Sequence, residues 1–267
     1  MNLVDVKVHA PTATILMDDG PRGNPLRGNL LSDRMIEDLN QAFSDLHQEK
    51  RVRAVVLTGG GEDFCRGVDL RDLHQHTLSD ELEAMGMWVE QWQRLAELVE
   101  RILRFPKPVI AAVDGAAWGG GFALALASDL VVASRTATFA VPAVRRGIIG
   151  GVVAPLLAFR LGGAIAARLL MTGDPIDSRT AVRHGLVSRR PPSSQVWVAA
   201  NELATRCAES PPIPLAATKR MLNETIGETL LMQLSVGAAA AATACSTETA
   251  AEGLTAFIEQ RQPKWPL

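Results

Sequence analysis

The chain has 267 residues, 47% of them hydrophobic and 21% charged, with a formal net charge of -2 and a pI near 6.2. That length and apolar share suffice for one full core, with or without an appended region. The balance of charge offers no basic face for nucleic acid and no charged tail, and the most apolar stretch, 109–132, is broken by Asp114, Asp129 and glycines, which excludes a membrane span.

The N-terminal residues lack the basic-then-apolar pattern of a signal peptide. Cys65, Cys207 and Cys245 are odd in number, far apart and not spaced as metal ligands, so they read as free thiols with no bound metal. A cytoplasmic protein is the expectation.

In chain order, residues 4–8 and Thr12–Met17 read as a hairpin around Ala10-Pro11. Ser32 is placed to cap a helix whose apolar stripe is Met35, Ile36, Leu39, Phe43 and Leu46. Residues 52–58 read as a buried strand. Trp88, Trp92, Leu95, Val99 and Ile102 recur at helical spacing, and Pro106 and Pro108 stop that helix near Arg104. Val109–Val113 and 129–133 are further strands, separated by a helix that begins near Gly120. This alternation predicts an α/β core. From about residue 193 the chain turns Ala-, Leu- and Met-rich with helical periodicity, so residues 1–192 are read as the core and 193–267 as a helical C-terminal region.

Two glycine-rich segments carry the chemistry. Phe64-Cys65-Arg66-Gly67-Val68-Asp69-Leu70 follows the strand at 52–58 and the turn Gly59-Gly60-Gly61, whereas Trp118-Gly119-Gly120-Gly121-Phe122 follows the strand at Val109–Val113. Each reads as strand, tight turn, helix, which points free backbone N–H groups at whatever lies in front of the turn. Two such turns facing each other would hold one carbonyl oxygen as negative charge builds on it.

The ordered series of motifs resembles the crotonase, or enoyl-CoA hydratase/isomerase, superfamily over about residues 25–266. Asn24-Pro25-Leu26-Arg27-Gly28-Asn29-Leu30-Leu31-Ser32 is similar to its N-terminal stretch, and the two glycine-rich segments to its oxyanion segments. Met171-Thr172-Gly173, Ala181-Val182-Arg183-His184-Gly185-Leu186-Val187 and Glu252-Gly253-Leu254-Thr255-Ala256-Phe257 match later landmarks. The resemblance implies an α/β fold, a spiral of ββα turns with a C-terminal helical region that packs trimers or hexamers. It implies an acyl-coenzyme A thioester as ligand, with coenzyme A part of the substrate and no resident cofactor. By position, the backbone N–H groups of Val68 and Gly120 form the oxyanion hole, Gly120 being the glycine whose φ/ψ is unusual. Arg27, Arg66, Val68, Asp69, Gly120, Ala143 and Phe257 are the expected substrate and coenzyme A contacts, Phe257 reaching a neighbouring subunit's adenine. Gln260 stands where the family has a lysine, and Lys264 is the nearest substitute.

The departures weigh as much as the matches. Family hydratases carry two glutamates, at positions that are Ala123 and Ala143 here. Hydration needs a base to activate water and an acid to protonate the α-carbon, each worth about 10²–10⁴ in rate. Methyl groups supply neither, so an ordinary hydratase is excluded. Gly147-Ile148-Ile149-Gly150-Gly151 also lacks the acid that some family isomerases and dehalogenases present. Candidates to replace the glutamates are His74 and His76, then Asp72 and Glu90; solvated surface roles are the competing reading for each. Arg145 and Arg146 are either surface ion pairs or one of them reaches the pocket to hold an acidic acyl group. Asp69 and Asp129 read as caps or braces of the turns, and Cys65 as packed. Two functions stay open: an enzyme acting through enolate stabilisation, by decarboxylation, isomerisation or dehydration, or a catalytically silent acyl-CoA binder.

Overall fold

The computed structural model describes residues 2–20 and 28–266. The expected N-terminal hairpin is β1 (Val4–His9) against β2 (Thr12–Met17), antiparallel with Val4 opposite Met17. The Ser32 hydroxyl accepts the Met35 N–H at 3.3 Å and caps α1 (Asp33–Gln48), whose predicted stripe is buried. After β3 (Ala54–Gly59) come α2 (Leu70–His76) and α3 (Glu81–Arg104). Helix α3 stops where expected because Phe105 precedes a proline and is driven to extended backbone, with ψ 126.

The middle of the chain holds β4 (Val109–Val113), β5 (Ala116–Trp118), α4 (Gly120–Ala127), β6 (Leu130–Ala133) and β7 (Thr138–Ala140). A 3₁₀ turn (Pro142–Arg146) leads to α5 (Val153–Leu161), α6 (Gly163–Thr172), β8 (Ile176–Asp177) and α7 (Ser178–Arg183). The C-terminal part is helical as predicted: α8 (Val196–Ala208), α9 (Pro212–Arg220), α10 (Glu228–Cys245) and α11 (Glu248–Ile258).

One sheet runs β1-β2-β3-β4-β6, parallel from β2 onward, and a smaller one runs β5-β7-β8. A parallel sheet must be covered on both faces, and the pleat sorts its residues accordingly. Val55, Leu57, Val109, Ala111 and Val113 face the main core, with residues of α1, α3 and α4. Ala54, Val56, Ile110 and Ala112 face the other way, onto Val196, Ala200, Ala204 and Ala208 of α8.

Two expectations are corrected. The second glycine segment does not follow β4 directly, because the chain makes the extra strand β5 first. Of Leu230, Leu231, Leu234 and Val236, the apolar C-terminal residues expected at an oligomer interface, Leu230 and Leu234 are buried within the chain, where α10 packs on α3, Leu231 is half-buried and Val236 is exposed. The exposed apolar residues near them are Met221, Leu222, Ile226, Met232 and Val236. Among the described residues no single helix is long and apolar enough to cross a membrane.

Candidate active site

The two glycine turns are stitched together by backbone. Cys65 N–H donates to the Ala116 carbonyl at 3.0 Å and Trp118 N–H to the Cys65 carbonyl at 2.9 Å, so β5 brings the second turn alongside the first. The fit leaves no slack: a Cβ at Gly121 would stand 2.1 Å from the Cys65 carbonyl oxygen, and one at Gly67 (φ +93) 2.7 Å from the Trp118 carbonyl oxygen. The unusual backbone belongs to Gly119 (φ +51), not to Gly120, which is the first residue of α4. A Cβ added at Gly120 would meet no backbone closely; its nearest neighbour is Cδ1 of Leu31 at 2.8 Å, the end of a side chain that would have to shift.

Asn29 braces the first turn, a role that sequence reasoning missed. Its side chain is buried, and its amide nitrogen donates to the carbonyls of Gly60 at 2.9 Å, Asp63 at 2.8 Å and Phe64 at 3.2 Å. Asparagine tolerates the left-handed backbone found there, φ 56, which was the available sequence signal. Asp69 caps α2 as expected, accepting the Arg71 N–H at 2.9 Å. Asp129 braces β4: it accepts the Val109 N–H at 2.8 Å and pairs with the buried Lys219 ammonium at 2.7 Å. Burial holds that ammonium below its ordinary pKa, against the pull of Asp129. Cys65 is packed as expected, its thiol pushed up to about 12 by burial.

A cavity of about 360 Å³ opens beside the paired turns. Val68 and Gly120 both line it, and their N–H groups donate to no acceptor among the described residues. Two unused donors on adjoining turns can serve one oxygen, with most effect when that oxygen gains negative charge. The rest of the wall is largely apolar: Trp92, Val141, Ala143, Ile148, Val152 and Val153.

Among the described residues Asp69 is the one carboxylate on this wall, and it is engaged by Arg71, whose Nη2 lies 2.5 Å away. Arg66 also lines the cavity, pairing with Asp63 at 2.7 Å. Arg145 points outward to Asp174, whereas Arg146 lines the cavity with its guanidinium carbon 4.6 Å from the centre of the Phe257 ring. Burial, and then Arg145 beside it, hold the Arg146 pKa below its ordinary value.

His74 and His76 do not reach the wall. His74 Nε2 lies 3.4 Å from Thr255 Oγ1 of α11, and His76 Nδ1 is buried with no hydrogen-bond partner among the described residues. Both sit at the end of α2, on which α11 packs. Asp72 is also off the wall, its pKa raised first by desolvation and then by Asp69 and Asp33. Glu90 is exposed and paired with Arg94 at 2.6 Å. Ala123 is fully buried in α4. Phe257, expected at a neighbouring subunit's adenine, lies on the wall of its own chain's cavity. Arg27 lies outside the described residues.

The α/β core, the adjoining glycine turns and the helical C-terminal region define a crotonase-type fold. The sequence profile described as enoyl-CoA hydratase/isomerase matches residues 23–266, and the chain belongs to that family. A Thermus thermophilus protein with the provisional name enoyl-CoA hydratase is 36% identical over 253 residues, covering 95% of this chain and 96% of its own. The carnitinyl-CoA dehydratase of Proteus mirabilis is 33% identical over 247 residues, 90% of this chain and 91% of its own. Among solved structures, an enoyl-CoA hydratase from Mycobacterium avium superposes with a TM-score of 0.83 at 29% identity, covering 99% of both chains.

Proposed function

We propose that the protein binds an acyl-CoA thioester with its thioester oxygen between the N–H groups of Val68 and Gly120, which stabilise an enolate formed there. The observation that carries this reading is the pair of unused donors on adjoining turns that line one cavity. Each such donor is worth about 2.7–4 kcal/mol in the transition state. Arg66, Asp69, Ala143 and Phe257 complete the surroundings of the acyl group and coenzyme A, which arrives as part of the substrate.

The chemistry is that of a lyase or isomerase needing at most one proton-transfer group, rather than hydration, because Ala123 and Ala143 stand at both glutamate positions. Decarboxylation meets this condition, since departure of CO₂ itself generates the enolate. A catalytically silent binder is the second reading, favoured by the engagement of Asp69, the wall's carboxylate, with Arg71. The exposed apolar residues of the C-terminal helices support assembly as a trimer or hexamer. The free cysteines fit a cytoplasmic setting.

The test is a panel of acyl-CoA thioesters. The reading predicts turnover of at least one of them, with crotonyl-CoA hydration far below about 10 s⁻¹. Binding without turnover across the panel selects the silent binder. Hydration of crotonyl-CoA at an ordinary enzymatic rate, or no binding of any thioester, contradicts the reading.

A further inference from the structure

Three arginines line the cavity, and two are already neutralised. Arg66 is paired with Asp63 and Arg71 with Asp69. Arg146 meets no carboxylate among the described residues, and its one described partner is the face of Phe257. Its neighbour Arg145, by contrast, is taken up by Asp174 on the outside. Arg146 is therefore a half-buried cation against an aromatic ring, on a wall otherwise dominated by Val141, Ile148, Val152, Val153 and Trp92. Such a charge is costly to hold unless an anion arrives to meet it, and the ring offsets only part of that cost.

Its place in the fold says where the anion would be. Residues three apart eclipse in a 3₁₀ helix, so Ala143 and Arg146 of the 3₁₀ turn lie on one edge, and both line the cavity. Arg146 is thus one turn along from Ala143, and shares its cavity with the donors Val68 and Gly120. The planar guanidinium is suited to take a carboxylate through two parallel hydrogen bonds while its face rests on Phe257.

We propose that Arg146 receives a carboxylate carried by the acyl group, so that the preferred ligand is a thioester of a dicarboxylic acid rather than a neutral fatty acyl thioester. The proposal rests on the thioester reading given above and names its substrate class. A neutral chain would leave the cation unpaired in an apolar pocket, which discriminates against it. The phosphates of coenzyme A are the other possible source of the anion, and the experiment separates the two.

Succinyl, glutaryl and adipyl thioesters are compared with butyryl, valeryl and hexanoyl thioesters by calorimetric titration of the full chain. Each is made both with coenzyme A and with pantetheine, which lacks the phosphates. The expected result is that the best dicarboxylic ligand binds about 10- to 100-fold more tightly than its neutral counterpart in both series. Arg146→Gln should erase that preference without weakening the neutral ligands, and Arg146→Lys should keep part of it. Equal binding of matched pairs, or a preference that survives in Arg146→Gln, overturns the proposal while leaving the thioester reading intact. A loss confined to coenzyme A esters would assign Arg146 to the phosphates and also overturn it. If no thioester of either series binds, the thioester reading falls and this proposal with it.

Discussion

The paired glycine turns and the side chains of the cavity wall beside them are built in different ways. The turns offer only backbone, and packing fixes them: the ladder between Cys65 and residues 116–118, the Asn29 amide, and a Gly121 that would set a Cβ 2.1 Å from a carbonyl oxygen. The wall beside them consists of side chains from several elements: the 3₁₀ turn, the segment that leads into α5, Trp92 of α3 and Phe257 of α11 among them. A side chain added at Gly67 or Gly121 collides with backbone, whereas Ala143, Arg146 and Phe257 on the wall are only half-buried and can change with less disturbance of the packing. The turns carry the glycines, whereas Ala123 and Ala143 stand where the resemblance implies two glutamates.

The comparison breaks most visibly if the wall works like a hydratase. Without either glutamate, crotonyl-CoA hydration should lose about 10²–10⁴ for each missing group and fall below detection in a standard absorbance assay. Ordinary turnover would mean that another pair of groups does the work.

The supporting side of the comparison is tested by Asp129→Ala. It strands the buried Lys219 ammonium and removes the acceptor of the Val109 N–H at the start of β4. Urea unfolding should show a loss of about 3–5 kcal/mol. A change within about 0.5 kcal/mol, as for an ordinary surface substitution, would show that the pair contributes nothing to the frame.

On the wall side, His74→Ala and His76→Ala should each change thioester turnover by less than about twofold, because neither ring reaches the cavity. A loss of a hundredfold or so in kcat alone would return a histidine to the reaction.

The smallest effect is expected at Cys65, which lies between the two turns. With its thiol pushed up to about 12 by burial, Cys65 should stay unmodified by iodoacetamide at about pH 8, while the half-buried Cys207, whose pKa burial also raises, reacts more slowly than a free thiol. Peptide mapping reads this directly, and rapid labelling of Cys65 would show that the turns open.

The sequence was most readable where the signal is local. Ser32 as a cap, the stripe on α1, the end of α3 before Pro106 and the runs that form β3, β4 and β6 follow from periodicity and proline chemistry. Strand β5 has three residues and β8 two, too short for any period to show. The positions of His74, Arg146 and Phe257 were hidden for another reason. They depend on α11 packing over α2 and the 3₁₀ turn, contacts between segments more than a hundred residues apart. The sequence supplied the candidates, and tertiary packing separated Arg146 on the wall from His74 behind it. The left-handed residue at Gly119 rather than Gly120 was also beyond a pattern of three successive glycines.

The central claim is that two backbone N–H groups on these turns stabilise a thioester enolate whatever stands on the wall. It is tested most directly with acetoacetyl-CoA, whose enolate has its own ultraviolet band and forms without an enzymatic base. The donor is removed by Gly120→Pro in a Leu31→Val background, which takes away the methyl group that would meet the new Cβ, with Leu31→Val alone as reference. Circular dichroism first establishes that both variants are folded. The account predicts that binding to the reference protein raises the enolate band at neutral pH. Gly120→Pro should cut the enolate-to-keto ratio of the bound ligand by about 10²–10³-fold. Acetoacetyl-CoA that binds wholly in its keto form, or an enolate band unchanged in the folded Gly120→Pro protein, would contradict it.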